Sequence, residues 1–206
     1  MFSDTPHTVP IRLSDDPLVN EIRDCRLCQA QLPLGPRPVV QFSGSARLLI
    51  IGQAPGLKVH HSGIPWDDPS GQRLRQWLNL TPEQFYHPGD VAIVPMGFCY
   101  PGRGKSGDNP PDPRCAPQWH RQVLQRLPQV RLTLLVGQYA QRHYLEQFRS
   151  LTDNVRQWRD HLDQGRLPLP HPSPRNNLWL RRNPWFEQEV VPELQHRVRA
   201  ALAQHD

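Results

Sequence analysis

The 206 residues of this chain predict an α/β fold, a parallel sheet with helices on both of its faces. Three observations carry that expectation. Short, mostly apolar runs recur, with Leu48-Leu49-Ile50-Ile51 and Leu132-Thr133-Leu134-Leu135-Val136 the clearest. Each is followed by Gly or by a Gly- and Pro-rich segment. Stretches with apolar residues at helical spacing then separate one run from the next. Strands buried on both faces read as continuous apolar runs, and helical crossovers between them make parallel neighbours.

In chain order, residues 1–15 read as a flexible polar lead. Pro17 to Gln31 has the spacing of a short helix carrying Cys25 and Cys28, and Leu32 to Pro38 is a Pro-rich connector. Strands are expected over Ala46–Ile51, over Val91–Val94 up to Pro95, over Leu132–Val136 up to Gly137, and briefly at Leu167-Pro168-Leu169. Helices are expected over Gly71–Leu80, with Leu74, Trp77 and Leu78 on one face, over Pro117–Leu127, and from Gln138 to about Phe148. Asn183-Pro184 has the form of an N-cap with Pro at the first helical position, opening a helix toward Leu202. Pro101–Pro113 reads as irregular. No internal repeat divides the chain, so residues 1–206 are expected to form a single domain.

Composition narrows the function. The chain has 24 prolines and a mean hydropathy of −0.65, which describe a loop-rich surface. No apolar run is long enough to span a bilayer, and no signal peptide opens the chain, so the expected location is the cytoplasm with no membrane partner. Net charge is +5, and only Lys58 and Lys105 among the 24 basic residues are lysines. Arginine forks bind phosphate and stack on bases, which fits a nucleic-acid partner as well as a basic enzyme. Four cysteines are present, Cys25 and Cys28 as a C-x-x-C and Cys99 and Cys115 as a wider pair. In a cytosolic setting this set suggests a metal site ahead of disulfides. No second C-x-x-C completes a zinc ribbon, and four thiolates equally suit an iron–sulfur cluster.

The chemistry concentrates in one loop. After the first strand come Gly52-Gln53-Ala54-Pro55-Gly56 and Leu57-Lys58-Val59-His60-His61-Ser62, then Gly63-Ile64-Pro65-Trp66-Asp67-Asp68-Pro69-Ser70-Gly71. In open α/β sheets, ligands bind beyond the carboxyl ends of the strands. The loops after the first, second and fourth strands therefore converge on one rim, gathering Gln53, the His60–Asp68 segment, Cys99 and His171. Trp66 suits a core position as well as a stacking surface, and Asp67 and Asp68 suit a helix cap as well as catalysis.

These residues resemble the uracil-DNA glycosylase superfamily, in particular its iron–sulfur families four and five. Gly52-Gln53-Ala54-Pro55-Gly56 is similar to the first active-site motif, Gly63-Ile64-Pro65-Trp66 to the Gly-x-Pro-Phe of family four, and Asp68-Pro69-Ser70-Gly71 to the Asp-x-Ser-Gly of family five. His171-Pro172-Ser173-Pro174 is similar to the second active-site motif, and the four cysteines follow the cluster ligands in order. The resemblance implies a three-layer fold around a four-stranded parallel sheet. It also implies a structural 4Fe–4S cluster on Cys25, Cys28, Cys99 and Cys115, and hydrolysis of the N-glycosidic bond of uracil or a related deaminated base in DNA. By it, Gln53, Ala54, Pro55, Trp66 and His60 would shape the base pocket and His171 would donate to the base carbonyl. Ser173, Arg175 and Asn176 would contact DNA. Nothing in this reading requires more than a monomer.

Departures from the family pattern bear on the carboxylate. The first-motif Glu of family four is Gln53 here, its downstream acid falls on Val59, and the family-one acid position is Ala54. Because family five uses an aspartate in the segment that Asp68-Pro69-Ser70-Gly71 resembles, Asp68 is the expected catalytic carboxylate, with Asp67 and His60 behind it. Pro95 stands where family four has a base-reading asparagine, so strict uracil selection by that contact is not expected.

Overall fold

A computed structural model describes residues 16–203, and the lead over residues 1–15 lies outside the described residues. In chain order the larger elements are helix α1 (Pro17–Arg23), strand β1 (Leu48–Ile51), helices α2 (Leu57–Ser62), α3 (Pro69–Leu78) and α4 (Pro82–Phe85), and strand β2 (Val91–Ile93). A small hairpin follows, β3 (Arg103–Gly104) with β4 (Gly107–Asp108), then α5 (Cys115–Gln125), β5 (Leu132–Val136) and α6 (Gln138–Tyr144). The chain closes with α7 (Leu151–Arg156), α8 (Trp158–Leu162), β6 (Arg166–Leu169), α9 (Asn177–Arg182) and α10 (Val191–Leu202).

Four strands form one parallel sheet in the order β2-β1-β5-β6. Ile50 lies beside Ile93 on one side and Leu134 on the other. The strands alternate between two apolar layers, as a period of two requires. Leu48, Ile50, Val91, Ile93, Leu134 and Leu167 face the layer built with α3, α8 and α10, through Leu74, Trp77, Trp158, Leu194 and Val198. Leu49, Ile51, Ala92 and Leu135 face the layer built with α1 and α5, through Val19, Ile22, Trp119 and Val123. This is the three-layer α/β arrangement expected. The chain leaves β1 toward β2 and later returns to place β5 on the other flank, so the crevice between β1 and β5 is the switch point where ligands enter such sheets.

Several element boundaries differ from the sequence expectation. The first helix stops at Arg23, because the chain turns as the Cys25 amide bonds the Ile22 carbonyl, and both Cys25 and Cys28 lie beyond it. The segment after the first motif is helical, so His60 sits on α2 rather than in a loop. Pro101–Pro113 is not wholly irregular, since it contains the β3–β4 hairpin, with Arg103 opposite Asp108. Asn183 does not cap a helix with its side chain. Its amide instead bonds the Trp179 carbonyl and the Trp185 indole, and a π-type turn over Phe186–Val190 precedes α10. No described helix is long and apolar enough to cross a membrane.

Candidate active site

A cavity of about 710 Å³ opens at the carboxyl ends of β1, β2, β5 and β6. Its walls include Gln53, Ala54, Pro55, Trp66, Asp68 and Pro95 on one side, and Gly137, His171, Ser173, Arg175 and Asn176 on the other. The volume is that of a small-molecule site.

The Trp66 wall is built by sequence constraints that lie apart in the chain. Trp66 adopts φ +57°, a left-handed backbone uncommon outside glycine. Its carbonyl is braced by the Arg75 guanidinium at 3.3 Å, and Arg75 in turn holds the Tyr86 hydroxyl at 3.1 Å. The same carbonyl lies against Gly71, where a side-chain Cβ would collide with it. The indole lies across Gly52, so a Cβ there would come within 2.8 Å of the ring. Gly52 and Gly71 are thus the two positions at which the tryptophan needs a missing side chain. On its other flank the ring tilts against His171, with centroids 5.4 Å apart.

His171 is held in one chemical form. The Ser173 backbone N–H donates to its Nδ1 at 3.2 Å, so the ring proton resides on Nε2. The Asn176 side chain donates to the His171 carbonyl at 2.7 Å, and Arg73 of α3 reaches the Pro172 and Ser173 carbonyls, each at 3.3 Å. Burial pushes the His171 pKa down to about 4. One edge stays open to the cavity, and the neutral form is the one that the Ser173 bond requires. The site therefore presents a neutral imidazole with a donor to spare.

Asp68 caps α3. Its Oδ1 accepts from the Gly71 amide at 2.7 Å, with Pro69 at the first helical position. Burial raises its pKa, while the amide bonds of Gly71 and Ser70 oppose that rise. The cap reading and the cavity reading of Asp68 are therefore both true. Asp67, by contrast, is exposed and does not line the cavity.

Of the residues expected at this rim from sequence, His60 and Cys99 do not line the cavity, and Cys99 lies in the wall of a second one. His60 is buried on α2, its ring near Tyr100 and His61, and it is not part of the cavity lining. The helix over Leu57–Ser62 turns it inward, and its Nδ1 has no hydrogen-bond partner. Burial and the Arg37 charge both lower its pKa. Sequence reasoning missed Ser106, Gly107 and Asp108, which the hairpin brings to the cavity, and Gln138 and Tyr139, which follow β5. A loop after the β5 strand was the available signal for the last two; nothing local marked the hairpin.

Pro95 lines the cavity, and its carbonyl accepts from His120 Nε2 at 2.9 Å. Because a carbonyl only accepts, His120 carries its proton on Nε2 and takes the Tyr144 hydroxyl on Nδ1 at 2.5 Å. Burial holds His120 neutral, with its pKa pushed down to about 4.

The four cysteines are free and meet at a second, apolar cavity walled also by Leu27, Leu32, Phe98 and Trp119. Burial raises the thiol pKa of Cys28, that of Cys99 to about 11 and that of Cys115 to about 12, and neighbouring thiols add to each rise. The Phe98 amide donates to Cys115 Sγ at 3.3 Å, and the Arg37 amide bonds Cys99. Among the described residues no group of three or more His, Cys, Asp or Glu side chains is arranged to hold a single metal ion.

A parallel sheet with a switch-point crevice, a neutral histidine aimed into it and a glycine-seated tryptophan beside it define a small-ligand site of the α/β enzyme type. The family model of the uracil DNA glycosylase superfamily matches residues 39–195, well over half of the chain. The chain belongs to that superfamily, and its α/β fold is the superfamily's.

Proposed function

We propose that the protein is a monofunctional DNA glycosylase acting on uracil or a related deaminated base. The observation that carries this reading is the fixed tautomer of His171 at the wall of the cavity. A base inside a duplex must be flipped out to reach such a pocket, at a cost of a few kcal/mol. Trp66 then offers a face for the base to lie against, and the backbone around Gln53, Ala54 and Pro55 shapes its edge.

Breaking the glycosidic bond leaves negative charge on the base and positive character on the sugar. A neutral imidazole donating from Nε2 stabilises the first, and a carboxylate facing the sugar stabilises the second. Asp68 fills the second role in this reading, fixed in place by its bond to the Gly71 amide. Ser173, Arg175 and Asn176 border the cavity mouth, where phosphates of the flanking strand would lie. The net charge of +5 favours that partner. With Pro95 lacking both side-chain donor and N–H, selection of one base over another rests on cavity shape.

Cys25, Cys28, Cys99 and Cys115 are the residues that would hold a 4Fe–4S cluster, and the donor set fits one. Four thiols share an apolar cavity, and amide N–H groups reach two of the sulfurs. Burial favours the neutral thiol at Cys28, Cys99 and Cys115, so a bound cationic group would be what turns them into thiolate ligands. When bound, the cluster supplies a cross-link between the segment after α1 and both ends of the Cys99–Cys115 segment.

The test is purified protein with single- and double-stranded oligonucleotides carrying uracil, hypoxanthine or xanthine, followed by alkaline cleavage at abasic sites. Strand breaks at the modified base are the expected result. Binding of every oligonucleotide with no cleavage of any would replace the glycosylase reading with that of a DNA-binding member, a reading that Gln53, Ala54 and Val59 at the family's acid positions favour.

A further inference from the structure

We propose that Asp108, on the β3–β4 hairpin, accepts the proton of the attacking water, while Asp68 acts as a fixed negative charge; this rests on the glycosylase reading above. Among the described residues, Asp68 and Asp108 are the carboxylates that line the cavity. Their situations differ. Asp68 has committed Oδ1 to the α3 cap, accepting from the Gly71 amide at 2.7 Å, so its basicity and position are both tied to the helix. Asp108 is exposed, and its carboxylate has no hydrogen-bond or ion-pair partner among the described residues. A group that must take up a proton and release it to solvent needs that freedom.

The hairpin is nevertheless held at the site. Gln53 of the first motif donates from Nε2 to the Asn109 carbonyl at 3.3 Å. Arg175, past the second motif, reaches the Ser106 carbonyl at 3.5 Å and lies against Gly107. Gly56 faces Asp108 directly, since a Cβ on it would stand 3.4 Å from Asp108 Oδ2. Arg103 stands opposite Asp108 in the hairpin register and Arg175 lies against the adjacent Gly107, while burial first and the Asp108 charge second raise the Tyr100 pKa. Both motif loops thus bracket one unpartnered carboxylate, at the place where Gln53, Ala54 and Val59 provide none.

The step balances as follows. The C1′–N bond breaks and its electron pair leaves with the base, whose carbonyl oxygen accepts from His171 Nε2–H. The water oxygen bonds C1′, one water proton passes to Asp108 and then to solvent, and the base takes one proton from solvent. The products are the free base and an abasic sugar bearing the new hydroxyl.

Single-turnover base release is to be measured for the wild type, Asp108→Asn and Asp108→Ala, with affinity for an uncleavable oligonucleotide measured alongside. Asp108→Asn is expected to slow release by about 10², with affinity within about threefold and an unchanged melting temperature, and sodium formate should restore part of the Asp108→Ala rate. An active wild type with Asp108→Asn equally fast, or slowed only through weaker binding, would overturn the assignment alone. A wild type inert on every oligonucleotide would overturn the glycosylase reading and this assignment with it.

Discussion

The two cavities of this protein solve opposite problems. The strand-end cavity is finished by the polypeptide itself: Ser173 sets the His171 tautomer, Arg75 braces Trp66, and Gly71 completes the Asp68 cap. The cysteine cavity is not finished in this sense. Its thiols sit in an apolar pocket, where burial pushes Cys99 up to about 11 and Cys115 up to about 12. One site is preorganised for a ligand that comes and goes, and the other, on the proposed cluster, would take a permanent occupant. The difference teaches where each is vulnerable, the first to changes in packing and tautomer, the second to loss of what binds it.

The sharpest way to break the strand-end cavity is Gly71→Ala. A methyl there meets the Trp66 carbonyl. The Trp66 turn or the α3 start must then move, at an expected loss of about 4 kcal/mol in denaturant unfolding. The next effect follows acid. His120 has its pKa pushed down from the ordinary 6.5 to about 4 by burial. The unfolded chain takes up this proton as pH falls through 6.5, and the folded protein does not. Stability is therefore full above pH 6.5 and drains as pH drops toward 4, by about 3 kcal/mol at most. His120→Gln should flatten this limb of the stability profile while lowering stability at neutral pH.

Third in size, His171→Ala and Asp68→Asn should each cost about 10² in rate, roughly 2.7 kcal/mol, whereas exposed Asp67→Asn should stay within about twofold. An unaffected Asp68→Asn would leave Asp68 a helix cap and nothing more. The smallest effect on the strand-end cavity should come from the other one. If the proposed cluster is bound, Cys115→Ser should abolish its visible absorbance and make residues 101–113 more sensitive to protease. The rate should fall by about tenfold, because the hairpin between Cys99 and Cys115 forms part of the cavity wall. An unchanged rate would mean that the two cavities are independent.

Much of this was legible in the sequence. The runs over Leu48–Ile51 and Leu132–Val136, short, apolar and closed by Gly, read as strands buried on both faces, and the order of the strands along the chain implied a common rim. Gln53, Ala54, Pro55, Trp66, Asp68 and His171 were readable because motif residues on strand-end loops converge wherever the sheet is parallel. His60 was misplaced because a six-residue helix with no side-chain cap gives little periodic signal to set against a loop. The hairpin was hidden because two residues per strand leave no alternation to detect.

The sheet, its parallel sense and the grouping of the two motifs at one end follow from burial and chain order, and so are written in the amino-acid order alone. The contacts between distant segments emerge only on folding: Arg73 on the His171 loop, Trp66 over Gly52, and Asp108 facing Gly56. Such contacts depend on where separate elements come to rest against each other. No local pattern encodes that distance, and the chemistry of the site depends on it.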